Sequence, residues 1–173
     1  MFKKFIPYCH AKNIYEVDPN FFVKQGVKLV LIDLDNTLDS FKVRRASVKT
    51  INFINSLKNY GLTPVVISNN KENRVKDFAN DLKIDFVANA KKPFSKKILN
   101  TISKRNLKPD DVMLVGDQMM TDVQAAHKAG LRMVLCNKLV KEDQWTTHIN
   151  RIFGRRIKKY LQKRNKLVDW RNK

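Results

Sequence analysis

The apolar run Leu29-Val30-Leu31-Ile32 stops at two aspartates one residue apart, Asp33 and Asp35, and this junction constrains the fold more than any other feature. A short, unbroken run rich in leucine and β-branched residues reads as a buried strand, so both acids emerge together where that strand ends. Two carboxylates placed there repel one another. A divalent cation with hard oxygen ligands relieves the repulsion, and Mg²⁺, which takes few carboxylates and keeps room for phosphate, suits the pair. Taken alone, the pentad Asp33-Leu34-Asp35-Asn36-Thr37 also reads as an ordinary acidic turn.

The rest of the chain repeats the arrangement. Strand-like runs at 28–33, 63–68, 85–89, 112–116 and 131–136 alternate with helix-like segments at 47–60, 71–82, 94–105 and 119–129. Regular alternation of this kind predicts a parallel sheet covered by helices on both faces, an α/β fold. In the first of these helices Ile51, Ile54, Leu57 and Lys58 follow helical spacing, Ser47 is a candidate cap and Gly61 a candidate stop. In the third, Pro93 fits the first turn, and Ile98, Leu99 and Ile102 form the expected buried stripe.

Three further segments close apolar runs with polar groups: Val65-Val66-Ile67-Ser68-Asn69-Asn70, Phe86 through Pro93, and Val112 through Asp122. In an open α/β sheet, ligands gather at the carboxyl ends of the strands, where all of these segments stand. Each residue has a plainer reading by itself. Ser68 alone would be a helix cap, Lys92 a solvated charge beside Lys91, and Asp117 and Asp122 turn or helix-start residues.

In this order the four segments resemble the haloacid dehalogenase (HAD) superfamily phosphatases. Asp33 and Asp35 match that family's first motif, Ser68 its second, Lys92 its third, and Asp117 with Asp122 its fourth. The opening Met1-Phe2-Lys3-Lys4-Phe5-Ile6-Pro7, the Asn36, the Lys92-Pro93 pair and the Gly116-Asp117-Gln118 run are similar to the YqeG-type subfamily, subclass IIIA. Lys92, which directly precedes Pro93, is preferred to Lys91 as the motif lysine. The resemblance implies a HAD-like Rossmannoid three-layer sandwich with strand order 5-4-1-2-3. The stretches between motifs each hold little more than one helix and one strand, leaving no room for a cap domain, so the site is expected to admit the end of a large substrate.

The resemblance also implies the chemistry. Asp33 is the expected nucleophile, forming an aspartyl-phosphate, and Asp35 the acid for the leaving oxygen and then the base for water. Mg²⁺ is expected on the Asp33 carboxylate, the Asp35 main-chain carbonyl and Asp117. Lys92, Ser68, the Asn69 amide and Thr37 are expected to bind phosphate, with Asp122 supporting through water or by orienting Lys92.

Composition bears on partners. The chain has 173 residues, 43% of them hydrophobic, which suits one domain with a sizeable core. We expect residues 1–150 to form the phosphatase domain with an N-terminal docking segment, and 151–173 a basic C-terminal helix of the same domain. No stretch reaches the length of a membrane-spanning helix, and a cytoplasmic protein, peripheral to the membrane at most, is expected. Cys9 and Cys136 are far apart in sequence, and His10, His127 and His148 lack partners at ligand spacing, so neither type is expected to carry chemistry.

Net charge is the outlier at +19, and ten basic groups against the single acid Asp169 fall between residues 151 and 173. Such a field attracts polyanions. Ile149, Ile152, Phe153, Ile157, Tyr160 and Leu161 recur at helical spacing among those cations, as in a helix that lies on an anionic leaflet. The same stripe also suits packing on the protein's own sheet. YqeG-type proteins are similar to phosphatidylglycerophosphate phosphatases, which implies a phospholipid headgroup as phosphate-ester substrate. A nucleic-acid or protein phosphate, and a non-enzymatic basic adaptor for RNA or ribosome, are the alternatives; no RNA-binding motif is visible and no obligate protein partner is expected.

Overall fold

The computed structural model describes residues 3–140 and 148–173, with side chains of the last helix described from residue 152 onward. Six parallel strands form one sheet: β1 (Cys9–Ala11), β2 (Leu29–Ile32), β3 (Thr63–Ile67), β4 (Asp85–Val87), β5 (Val112–Gly116) and β6 (Arg132–Cys136), ordered β1-β6-β5-β2-β3-β4. Five of them keep the order expected from the resemblance. The correction is β1, a sixth strand against β6, which at three residues is too short to show a period in sequence.

Alternation within each strand divides the core. Val30, Ile32, Val66, Met113, Val115 and Val134 face one side, where α1 (Pro19–Lys24), α2 (Val48–Asn59) and α3 (Glu72–Leu82) pack. Leu29, Leu31, Val65, Ile67, Leu114 and Leu135 face the other, covered by α4 (Lys96–Ser103), α5 (Gln124–Ala129) and α6 (His148–Lys163). Every residue of β2 is buried, as a central strand covered on both faces requires. Among the described residues no separate cap domain interrupts the sheet.

Local chemistry sets the helix ends. Ser47 accepts a hydrogen bond from Thr50 N at 3.2 Å and starts α2; Gly61, at φ +75°, lies just beyond its end. Lys58, at the end of α2, donates to the carbonyls of Leu82 (2.9 Å) and Lys83 (3.2 Å), closing α3. The short α1 was not foreseen, although Asp18-Pro19 is a start signal and Asp18 accepts from Asn20 N at 2.9 Å.

Two expectations in the α4 region are corrected. Pro93 lies outside the helix, in a turn closed by Phe94 N donating to Lys91 O at 2.9 Å, with a cis Lys92–Pro93 peptide. The chain first carries Lys92 inward to the carboxylates and begins α4 only at Lys96. Leu99 is 42% exposed, because the sheet receives the adjacent Ile98 and Ile102 instead. The segment 119–129 is not one regular helix either: Met119–Val123 is a π-helical turn, with Asp122 N and Val123 N both donating to Gln118 O, and α5 follows it.

Both chain ends converge on the β1 edge. His10 N donates to Val168 O at 2.8 Å, Trp170 packs edge-on against Phe21, and Phe5 lies in the core beneath α5 and α6. Phe5 of the N-terminal segment is thus part of the core, while Phe2 lies outside the described residues.

Candidate active site

The candidate groups stand beyond the carboxyl ends of four strands. Asp33 directly follows β2 and its amide continues the ladder, donating to Val115 O at 2.9 Å. Its carboxylate is buried and receives Lys92 Nζ at 2.6 Å on Oδ1 and Thr37 Oγ1 at 3.3 Å on Oδ2. Lys92 Nζ also lies 2.7 Å from Asp122 Oδ1 and donates to Ile67 O at 3.1 Å. Lys91, its neighbour, is exposed. Carboxylate oxygens of Asp33, Asp117 and Asp122 lie within 4.8 Å of one another.

Three carboxylates therefore converge, two of them on one ammonium, and the electrostatics record it. Burial pushes the Asp33 carboxyl well above its usual range, opposed by Lys92 and reinforced by Asp122 and Asp117. For Lys92 burial opposes the charge, but Asp122 and Asp33 outweigh it and hold the ammonium above its ordinary value. A site of hard anionic oxygens whose nearest acids destabilise one another fits a divalent cation of the magnesium type.

Asp35 is turned elsewhere. Its Oδ1 accepts Arg74 Nη2 at 2.6 Å, and its Oδ2 accepts a short hydrogen bond from Asn70 Nδ2. The expected metal contact of Asp35 is through its main-chain carbonyl, which this leaves open. Asn36, at φ +64°, donates from N to Asp39 O at 2.7 Å and closes the turn that follows Asp35. Ser68 is buried and its Oγ accepts Asn70 N at 3.1 Å.

Residues 35–136, more than half of the chain, match the haloacid dehalogenase-like hydrolase family. Over 171 residues, 98% of this chain and 99% of the relative, the sequence is 34% identical to the Probable phosphatase YqeG of Bacillus subtilis (strain 168). The chain belongs to the haloacid dehalogenase-like hydrolases.

It is a phosphatase-type enzyme of that family. Solved structures of this HAD fold include the 3-deoxy-D-manno-octulosonate 8-phosphate phosphatase of Moraxella catarrhalis in complex with magnesium, phosphate and KDO: TM-score 0.54, 17% identity, covering 66% of this chain and 71% of that one. The cobalt-bound deoxy-D-mannose-octulosonate 8-phosphate phosphatase of Haemophilus influenzae is a second, with TM-score 0.52, 16% identity, and 64% and 69% coverage. At these identities the likeness speaks for the fold.

The contacts of four residues around the candidate groups were not foreseen, although Asn69 was expected as an amide donor and Gly116 stood in a motif run. Asn69 clasps the backbone of Lys92 in both directions, Nδ2 donating to Lys92 O at 2.9 Å and Oδ1 accepting Lys92 N at 2.7 Å. Arg74 and Asn70 hold Asp35. Gly116 lets the buried Asp122 approach, since a Cβ there would lie 2.5 Å from Asp122 Cγ. Asn69 and Gly116 carried a signal, the first as an expected donor after a strand and the second as a glycine closing an apolar run beside an acid. His10 bonds through Nε2 with Asn137 Oδ1 at 3.1 Å, outside the carboxylate group; His127 is exposed, and His148 lies where side chains are not described.

Proposed function

We propose that this protein is a Mg²⁺-dependent phosphomonoester phosphatase that works through an aspartyl-phosphate on Asp33. The observation that carries the reading is Lys92 Nζ, 2.6 Å from Asp33 and 2.7 Å from Asp122, inside a group of three convergent carboxylates. An Asp33 oxygen attacks phosphorus as the bond to the leaving oxygen breaks, and Asp35 gives that oxygen its proton. Water then attacks the same phosphorus and returns a proton to Asp35, releasing inorganic phosphate and restoring Asp33. To do this Asp35 leaves at least one of its two donors, Arg74 or Asn70.

Lys92 orients Asp33 and offers its charge to the transferring oxygens; Ser68, Thr37 and the Asn69 amide supply donors around them. Asp33, Asp117 and the Asp35 carbonyl would hold the metal, with Asp122 supporting through Lys92. When bound, Mg²⁺ neutralises phosphate charge and favours in-line attack. Asp33→Asn is expected to abolish phosphate release from p-nitrophenyl phosphate in Mg²⁺ buffer while circular dichroism stays unchanged, with Asp35→Asn tested beside it. Hydrolysis by folded Asp33→Asn at the parent rate sinks the assignment.

For the natural substrate we propose a phospholipid headgroup phosphate, phosphatidylglycerophosphate in particular. Support comes from the motif resemblance and from α6, which packs on the turn carrying Asp122 and exposes Ile152, Phe153 and Tyr160 among Arg156, Lys159, Lys163 and Arg164. Such a face suits an anionic leaflet. No described helix is long and apolar enough to cross a membrane. Ile149 of the expected stripe and Arg151 among its cations lie outside the described side chains. Phosphate release from the lipid in vesicles, compared with 5′-phosphorylated RNA, tests the choice; turnover of RNA alone favours the nucleic-acid alternative.

A further inference from the structure

Beside the reactive loop lies a cavity of about 350 Å³ lined by Arg44, Lys71, Asn73, Arg74 and Asp77. Two separate stretches of chain build it: residue 44 belongs to the loop after β2, and 71–77 open α3. Three cations face one carboxylate, and neither Arg44 nor Lys71 has an ion pair among the described residues. Exposed cations are common in so basic a chain. What sets this group apart is Arg74, which walls the cavity and also grips Asp35.

Arg74 is fixed, its side chain 23% exposed. Nη2 donates to Asp35 Oδ1 at 2.6 Å, Nη1 donates to Val43 O at 2.9 Å, and Nε is buried without a partner. The loop it holds is anchored elsewhere too. Asp39 accepts Ser47 N at 3.0 Å and Thr50 Oγ1 at 2.6 Å, while Asp81 accepts Ala46 N at 3.1 Å and pairs with Arg45. The cavity wall is therefore built, and one of its cations touches the group that would protonate the leaving oxygen.

We infer that the Arg44–Lys71–Arg74 cavity is a second anion subsite, taking a phosphodiester carried on the alcohol side of the phosphomonoester being cleaved. The inference rests on the reading of Asp33 and Asp35 above. Whatever is bonded to the leaving oxygen lies on the Asp35 side of the phosphorus, and Arg74, which contacts Asp35 at 2.6 Å, is itself a wall of the cavity. A guanidinium has five donors in a planar fork, so Arg74 can serve Asp35 and a second anion together. A monoester with a diester one glycerol away is the headgroup chemistry of phosphatidylglycerophosphate; a 5′-phosphorylated dinucleotide shares it.

The test compares kcat/KM for three water-soluble substrates, so that membrane docking plays no part. They are p-nitrophenyl phosphate, with no second anion, glycerophosphoglycerophosphate, and a 5′-phosphorylated dinucleotide. The parent is expected to favour glycerophosphoglycerophosphate over the aryl ester by about tenfold or more, and Arg44→Ala with Lys71→Ala to cut that ratio about tenfold, chiefly through KM. Arg44→Lys with Lys71→Arg is expected to retain it. Equal losses on all three substrates, or a parent without preference, overturn the subsite. Preference for the dinucleotide supports the subsite and moves its ligand from lipid to nucleic acid. If the parent hydrolyses none of them, the phosphatase mechanism itself falls, and the subsite with it.

Discussion

At the scale of residues, the site depends on how tightly Lys92 is fixed. Its ammonium has Asp33, Asp122 and the Ile67 carbonyl, and its backbone is held at both polar atoms by Asn69. Asn69→Ala leaves that amide and carbonyl without their partner. We expect a loss of about 1–3 kcal/mol in urea unfolding. Turnover of p-nitrophenyl phosphate should fall about tenfold or more, because a displaced Lys92 no longer aligns Asp33. Gly116→Ala drives a methyl into the Asp122 carboxyl, 2.5 Å away, whereas a methyl at Gly154 meets Met119 Cβ at 3.3 Å. The first change should cost about 1–3 kcal/mol and the second less, as their denaturation midpoints will show. Asp33, Lys92 and Asp117 were legible because their types and order point to one chemistry. The clasp of the Asn69 side chain on Lys92 and the grip of Arg74 on Asp35 were not, since asparagine before a turn and arginine on a helix are commonplace until their partners are known.

Among the elements, α6 divides the stripe for which its sequence offered two readings. One side, with Ile157 and Leu161 buried and Gly154 against Met119, packs on the sheet; Ile152, Phe153 and Tyr160 are exposed. The apolar stripe is thus divided between core and surface: packing on the protein's own sheet accounts for Ile157 and Leu161, and the exposed remainder is the part the leaflet proposal concerns. Leu161→Ala should cost about 2–5 kcal/mol in thermal or urea unfolding. Phe153→Ala should stay within about 0.5 kcal/mol of the parent and show its effect in flotation with anionic vesicles, if the exposed face docks there. Fluorescence-monitored unfolding separates the two. The π-helical turn before α5 was invisible to a helical period for a related reason. A helix pattern over 119–129 predicts regular turns, but Asp122 must reach Lys92 beneath Gly116, and the wider turn sits where that happens.

For the whole molecule, the two termini close the sheet edge at β1, and the buried thiols report on that closure. Burial pushes Cys9 from 9.0 up to about 12, against a smaller opposing effect of Lys173 and a smaller reinforcing one of Asp169. The folded state therefore keeps its proton where the unfolded chain would lose it. This contribution to stability is complete below about pH 9 and is lost as pH rises toward about 12. Cys9→Ser should flatten that alkaline decline in pH-dependent urea titrations, and native protein should resist thiol reagents until unfolded. The net charge of +19 acts at this scale too. Any binding to anionic vesicles should weaken steeply between low and high salt, because screening shortens the reach of the field.

By itself, the sequence determined that a central strand buried on both faces ends in paired acids, and that distant polar groups meet at one edge of a parallel sheet. Burial on two faces leaves a continuous apolar run, and strand ends carry polar residues, so both facts are written locally. Only the tertiary structure decided which partner each charge takes: Lys92 with Asp33 across 59 positions, and Arg74 with Asp35 across 39. Those pairings follow from strand order, from the turn before α5 and from the loop held against α3, none of which a neighbouring residue encodes. The extra strand at β1 was likewise decided there, because three residues acquire a strand's hydrogen bonds only from the edge on which they settle.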